Sequence, residues 1–257
     1  MIFKNKIIFT ISIVSHNHKH EIEKIIEDIK KFNDKDKFEV IITSNAKENF
    51  DEYVNDPDLQ IIIIYNNTPK GFGANHNKAI NRAIGEFYFI INPDVRIENN
   101  IFEKISEFLG DKKIGCCAPL VHDSFGNIQD SNRSYPTVTN LTKRWFLRKK
   151  INDYLGITKP VIYVDWTAGM FMGFHRDNWK KINGFDESYF MYVEDVDICF
   201  RLNKSSMQVA VLPMLSIVHD GRRESRKNLR FLFWHISSLC RFWKKYYIGQ
   251  YINIFNK

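Results

Sequence analysis

Hydrophobic and polar positions follow two alternating periods along the first 110 residues. The run KIIFTISIV (6–14) is apolar almost throughout, and FEVIIT (38–43), QIIIIY (60–65) and EFYFII (86–91) have the same texture. Such short runs of β-branched and aromatic residues predict strands buried on both faces. Between them the period lengthens. HEIEKIIEDIKKF (20–32) places Ile22, Ile25, Ile26, Ile29 and Phe32 on one stripe, GANHNKAINRAI (73–84) does so with Ala79, Ile80, Ala83 and Ile84, and NIFEKISEFL (100–109) with Ile101, Phe102, Ile105, Phe108 and Leu109. These are amphipathic helices. Apolar strands separated by such helices predict an α/β fold, with a mostly parallel central sheet covered on both faces. Ligands of these sheets bind beyond the carboxyl ends of the strands. That rule directs attention to SHN (15–17), TSN (43–45), YNNTPKGFG (65–73) and NPD (92–94).

The second half is less regular. DWTAGMFMGF (165–174) predicts one buried strand, RDNWKKI (176–182) a short helix, and VAVL (209–212) and LSIV (215–218) two more strands. Residues 122–160 carry no period and include the basic-aromatic patch KRWFLRKK. At the C-terminus, Leu229, Leu232, Phe233, Ile236, Leu239, Cys240, Trp243, Tyr246 and Tyr247 form a helical stripe, and eight Lys/Arg face one Glu between Arg222 and Lys245. Two readings fit: an amphipathic helix resting on an anionic membrane, or a helix docked on the domain's own core with its charges in water.

Composition narrows the class. A chain of 257 residues, 44% hydrophobic and 26% charged, can bury one large core, and its net charge of +7 favours anionic partners. The four cysteines have no metal-ligand spacing and fit a reduced, cytoplasmic setting. Lys4 and Lys6 before an apolar run imitate a signal peptide, but no small-residue cleavage site follows, so a first strand is expected. No apolar run reaches the roughly 20 residues needed to span a bilayer. The basic charge also suggests nucleic acid, yet no motif for reading it is present.

Four segments could carry chemistry. In NPD, Pro93 restricts Asn92 to extended backbone and sets Asp94 at the sheet edge; the carboxylate could hold a divalent cation, or the tripeptide could be a plain turn. KGFGANHN (70–77) offers Lys70 and glycines before a helix, suited to phosphate or to a simple loop. YFMYVEDVDICFRL (189–202) gathers Glu194, Asp195 and Asp197 beside an aromatic run, with Asp197 and Arg201 at i,i+4. The acids are either a solvated helix start or half of a site in which an apolar wall keeps a carboxylate basic. His219 ends the last expected strand, as a structural residue or a ligand.

In order, SIVSHN, KGFGANHNKAI, INPDV, GFDESYFMYVEDVDICFRL and His219 resemble the family 2 glycosyltransferases of the GT-A fold, over roughly residues 7–220. The form of these motifs is most similar to the rhamnosyltransferase-type branch. The resemblance implies one GT-A domain over 1–220, with a nucleotide-binding half to about 115, an acceptor-binding half over 116–220, and a basic helical extension over 221–257. It implies an inverting hexosyltransferase that uses Mg²⁺ or Mn²⁺ and moves a sugar, such as L-rhamnose, from a dTDP- or UDP-sugar to a saccharide or lipid-linked saccharide. Peripheral contact with the inner face of the cytoplasmic membrane is expected, and no nucleic-acid partner. By position, Asp195 matches the catalytic base, with Glu194 and Arg201 as its support, while Asp94 and His219 match the metal site. Ser15, His16, Ser44, Lys70, Gly71, Asn77 and Asn92 fall on the nucleotide-sugar side, and Asp165, Trp166 and Tyr192 on the acceptor side. Two departures stand out: Ser44 replaces the family's usual aspartate, and NPD carries one carboxylate where DxD carries two. They motivate an alternative, a non-catalytic nucleotide-binding or membrane-recruitment protein on a degenerate GT-A fold.

Overall fold

The computed structural model describes residues 6–147, 159–219 and 229–255. Its first half follows the expected alternation. Strands β1 (Phe9–Ser15), β2 (Phe38–Ser44), β3 (Gln60–Tyr65) and β4 (Phe87–Ile91) pair in parallel in the order β3-β2-β1-β4. Helices α1 (Lys19–Lys30), α2 (Phe72–Ile80) and α3 (Phe102–Leu109) supply the cover. The isoleucine stripe of α1 is buried as its period requires, and Phe9, Phe38, Phe89, Phe102 and Phe171 stack into one aromatic core with β4.

Beyond β4 the sheet mixes directions. The short β5 (Val95–Arg96) follows directly, and β6 (Ile114–His122) lies in the sheet's second half. After β7 (Asn132–Arg133) and helix α4 (Val138–Leu147) come β8 (Ile162–Val164), β9 (Trp166–Thr167) and β10 (Phe171–His175). Strand β10 runs antiparallel to β4 and also pairs with β6, which is parallel to β11 (Gln208–His219). Helices α5 (Arg176–Lys181) and α6 (Glu194–Lys204) fall between β10 and β11, and α7 (Leu229–Phe255) closes the described chain.

Three expectations about the second half need correction. Residues 165–174 are not one strand: β9 pairs with β7 in a separate ribbon, and the chain turns at Gly169–Met170 before β10 enters the main sheet. Residues 209–212 and 215–218 are not two strands but the two ends of β11, whose pairing with β6 jumps between Leu212 and Ser216, around Pro213. Pro cannot donate to a ladder, so it sits where the register breaks. Strand β6 escaped the reading altogether, because IGCCAPLVH has small residues and a proline in place of a β-branched run. Part of KRWFLRKK and of the basic C-terminal segment lies outside the described residues. All four cysteines are free.

Candidate active site

The acid pair begins helix α6. Its preceding residues, Tyr192 and Val193, both have left-handed backbone, φ 70° and 68°. For a β-branched residue such as Val193 that is a costly conformation, on the order of 1–2 kcal/mol. The turn it makes aims the two acids differently. Glu194 is buried, with Oε2 lacking a hydrogen-bond partner, while Asp195 is half-buried. The Asp195 carboxylate accepts from the N–H of Val196 (2.8 Å) and of Gly169 (3.1 Å). Burial raises both carboxyls above the ordinary range, Glu194 furthest because the Asp195 charge adds to it. A buried, unpartnered carboxyl is tolerable when neutral, and repulsion between two acids this close disfavours a second charge on the pair.

Gly169 belongs to the turn between β9 and β10, and that turn also reaches the end of β4: Asn92 N–H donates to Met170 O (3.0 Å). The NPD tripeptide and the acid helix are therefore tied to the same two-residue turn. From NPD the chain enters β5, which pairs antiparallel with the end of β11 and sets His219 opposite Val95. His219 Nε2 comes to 3.3 Å from Asp94 Oδ1. Its other ring nitrogen, Nδ1, lies 3.1 Å from Gln129 Oε1, and the Gln129 amide is oriented by donating Nε2–H to His219 O (2.5 Å). A proton on Nδ1 leaves a lone pair on the buried Nε2, which has no hydrogen-bond partner. A carboxylate oxygen beside an orphaned imidazole nitrogen, steadied from behind by an amide, fits a divalent cation such as Mn²⁺ or Mg²⁺. Asp94 and His219 are two ligands only, and no group of three or more metal-ligating side chains occurs among the described residues.

Beyond the carboxyl ends of β1, β2 and β3, the loops are held by groups that the sequence pattern does not single out. Glu48 accepts from Ser15 Oγ (2.6 Å), Asn17 N–H (2.8 Å) and Lys19 N–H (3.0 Å), so one carboxylate pins the β1–α1 loop and the first turn of α1. Ser44 is buried and its hydroxyl donates to Glu48 O (2.8 Å), which makes it a support for that carboxylate. His16 stays exposed. Asn45, Asn66 and Asn75 form a second brace. Asn66 Nδ2 donates to Asn45 Oδ1 (2.9 Å) and Asn75 Oδ1 (2.6 Å), and Asn45 bonds both the N–H and the carbonyl of Lys70. The Lys70 side chain is left exposed. Gly71 touches the acid turn itself: a Cβ there would lie 2.6 Å from Phe190 O, to which the Phe72 N–H donates at 3.0 Å. The only sequence signal for the two braces was the density of Asn and Glu in strand-end loops.

Residues 10–179 match the family model described as Glycosyl transferase family 2. The chain belongs to that family. Residues 159–223 also match the model described as N-terminal domain of galactosyltransferase. Rhamnosyltransferase WbbL of Escherichia coli K12 is 27% identical over 90% of this chain and 91% of its own length. N-acetylglucosaminyl-diphospho-decaprenol L-rhamnosyltransferase of Mycobacterium tuberculosis H37Rv is 24% identical over 59% of this chain and 57% of its own. These relatives place the glycosyltransferase in a rhamnosyltransferase-like branch. Solved structures share the GT-A fold. GalNAc-T7 with UDP, GalNAc and Mn²⁺ matches with a TM-score of 0.65 at 16% identity, over 86% of this chain and 45% of that one. The mannosyltransferase PcManGT of Pyrobaculum calidifontis, in complex with GDP-Man and Mn²⁺, matches at 0.60 and 15%, over 86% and 59%. The chain thus spans about half the length of these solved structures.

Within this family 2 chain, two proposed site residues sit apart from the acid pair. Arg201 donates to Asp197 Oδ2 (2.8 Å), Ile182 O (2.6 Å) and Gly184 O (2.7 Å), so its guanidinium is consumed in bracing the 182–184 loop. Asn77 exchanges hydrogen bonds with the backbone of Phe185 and donates to Glu187. Both line a pocket of about 550 Å³ with Trp179, Asp186 and Glu187, which neither Asp94, Asp195 nor His219 borders. Asp197 is fully buried between Arg201 and Lys245 of α7, with Tyr189 Oη at 3.3 Å. Beside β9, Asp165 Oδ2 accepts from Tyr135 N–H (2.9 Å) and Trp166 Nε1 donates to Ser134 O (3.0 Å). Arg133 stacks over the Trp166 ring at 5.6 Å, and its positive charge opposes the upward shift of Asp195. Tyr192 lies 5.2 Å from His235 of α7.

Proposed function

We propose that the chain is a metal-dependent, inverting hexosyltransferase that moves L-rhamnose from a nucleotide-diphosphate sugar to a hydroxyl of a lipid-linked saccharide in surface-glycan synthesis. One observation carries this reading. A half-buried carboxylate, Asp195, kept basic by its surroundings, is tied through the Gly169–Met170 turn to the strand end that bears Asp94 beside His219. A base and an anion-neutralising site at the carboxyl edge of one sheet are the two parts that glycosyl transfer from a diphosphate needs.

In this mechanism Asp195 accepts the proton of the acceptor hydroxyl while that oxygen bonds to the anomeric carbon. The bond from that carbon to the diphosphate breaks, and attack from the opposite face inverts its configuration. Glu194, held neutral, leaves Asp195 as the one charged member of the pair. Asp94 and His219 would hold the cation, which supplies positive charge against the leaving diphosphate. Asp165, Trp166 and Tyr192 would border the acceptor, and the braced loops around Ser15, His16 and Lys70 the donor. A dTDP- or UDP-sugar is the expected donor, and an anionic membrane surface the expected setting for the acceptor.

The test is calorimetric titration with dTDP, UDP and GDP, each with Mn²⁺ and with EDTA, followed by transfer from dTDP-rhamnose to a lipid-diphosphate saccharide. Metal-dependent binding with one preferred base is expected. Folded protein that binds nucleotide but never transfers, even with acceptor present, would favour the non-catalytic alternative motivated by Ser44.

A further inference from the structure

Helix α7 has two unlike faces. One is docked on the acid turn and α6. Ser238 Oγ donates to Met191 O (3.0 Å), Trp234 packs on Phe190 with ring centres 4.7 Å apart, and Phe242 is fully buried against Tyr135 and Phe200. The opposite face carries Leu229, Leu232, Phe233 and Ile236 at i, i+3, i+4 and i+7, exposed to 83%, 54%, 69% and 52%, with Cys240 exposed one turn further on. Four large side chains in a row on one helix face are an unpartnered apolar stripe, since scattered exposed apolar residues do not align in this way.

The surrounding charge indicates what covers it. Helix α7 contains no Asp or Glu, and the exposed Arg230 and Lys244 flank the stripe. In sequence, Arg222, Arg223, Arg226 and Lys227 precede it. An apolar stripe on a helix without acids, preceded in sequence by four Lys/Arg against the single Glu224, is complementary to the headgroup region of an anionic bilayer. Spanning is not at issue, because no helix among the described residues is long and apolar enough to cross a membrane. A second copy of the chain is a poorer occupant. The stripe offers a few hundred Å² at most, against roughly 800 Å² per partner in a stable dimer, and it would bring like charges together.

We propose that the Leu229–Leu232–Phe233–Ile236 stripe seats this protein on an anionic lipid surface, while the other face of the same helix clamps the turn that presents Asp195. Seating and acid positioning are then functions of one rigid element. That the acceptor hydroxyl arrives from the lipid side rests on the transferase reading above; the seating itself does not.

Full-length protein should be sedimented with vesicles of phosphatidylcholine alone and of phosphatidylcholine mixed with phosphatidylglycerol. Binding is expected only to the anionic vesicles and should weaken as salt rises. The triple variant Leu232→Ser/Phe233→Ser/Ile236→Ser should bind them at least tenfold more weakly, with unchanged melting temperature and unchanged affinity for nucleotide, because none of the three faces the core. Lys244→Gln should weaken binding modestly. Equal vesicle binding by wild type and triple variant would overturn the proposal. So would a wild-type dimer in sedimentation equilibrium that the triple variant dissolves, which would assign the stripe to a second copy. Vesicle binding by protein that binds no nucleotide would uphold the seating and refute the transferase reading.

Discussion

Asp197 offers the sharpest separation of scaffold from chemistry, because it lies two residues from Asp195 and its hydrogen-bond partners are different ones. Its carboxylate is fully buried and accepts from Arg201 Nε at 2.8 Å and Lys245 Nζ at 2.7 Å. Replacement by Asn keeps the volume but removes the charge. An amide has one oxygen with which to accept, so one of the two charge-assisted hydrogen bonds, each contributing about 1.5–3 kcal/mol, is lost, and the other weakens by about 1 kcal/mol as the acceptor loses its charge. Because Lys245 is about one-third exposed, screening lowers its share. The net expected loss is roughly 2–3 kcal/mol, which for a chain of this size lowers the melting temperature by about 4–12 °C. Thermal unfolding of wild type, Asp197→Asn, Lys245→Met and the double variant checks both size and origin. The two single effects should be non-additive by about 1 kcal/mol or more, since both remove the same contact. At temperatures where the variant is folded, its nucleotide affinity should match wild type. A melting point within 2 °C of wild type, or strict additivity, would refute the view that Asp197 fastens α7 to α6.

Other outcomes follow from the same geometry. Asp195→Asn should abolish transfer while leaving metal-dependent nucleotide binding intact; substantial residual turnover would remove Asp195 from the role of base. Because burial raises its carboxyl, the acid limb of the kcat/KM profile should lie above the ordinary carboxylate range, and a limb near pH 4 would contradict that reading. Glu48→Gln should raise the donor KM more than it lowers kcat, since Glu48 orders a binding loop; the reverse split would place it in the chemistry. Asp186 behaves differently with pH: burial alone would raise its carboxyl, but the Lys245 ammonium and Ser188 outweigh it and hold it at about 2. A depressed carboxyl stabilises the fold above its unfolded value and loses that contribution as pH falls through the folded one. The Lys245→Met variant should therefore show a shallower loss of stability between about pH 4 and 2 than wild type does.

The first half of the fold was legible because its signals are local. Each strand is a run of β-branched and aromatic residues and α1 and α3 bury clean stripes, so period gives element type; the expected helix over 73–84 instead ends at Ile80 and leaves Ile84 exposed. The second half depends on contacts between distant segments. Strand β6 lacks a β-branched run, and its place is fixed by partners far away in sequence, β10 and β11. Among the candidate site residues, Asp94, Asp195 and His219 were visible as motif positions, but how they are joined was not. The joint is the Gly169–Met170 turn, which in sequence looks like the middle of a strand. For Arg201, i,i+4 spacing correctly paired it with Asp197, but its bonds to the carbonyls of Ile182 and Gly184 depend on a loop whose place the spacing does not give. Glu48 was hidden for a related reason, since a loop carboxylate that satisfies backbone N–H groups looks like any solvated acid.

The contact between Gly71 and Phe190 has a consequence for anyone who would alter this protein's specificity. With no room for even a methyl group at position 71, the loop before α2 and the acid turn occupy interlocking space. A loop from a relative grafted on one side alone, carrying a larger residue or a different path, would displace the turn that presents Asp195. Recombination that respects this seam must carry residues 70–73 and 189–193 together. The two segments, more than a hundred positions apart in the chain, form a single unit of inheritance.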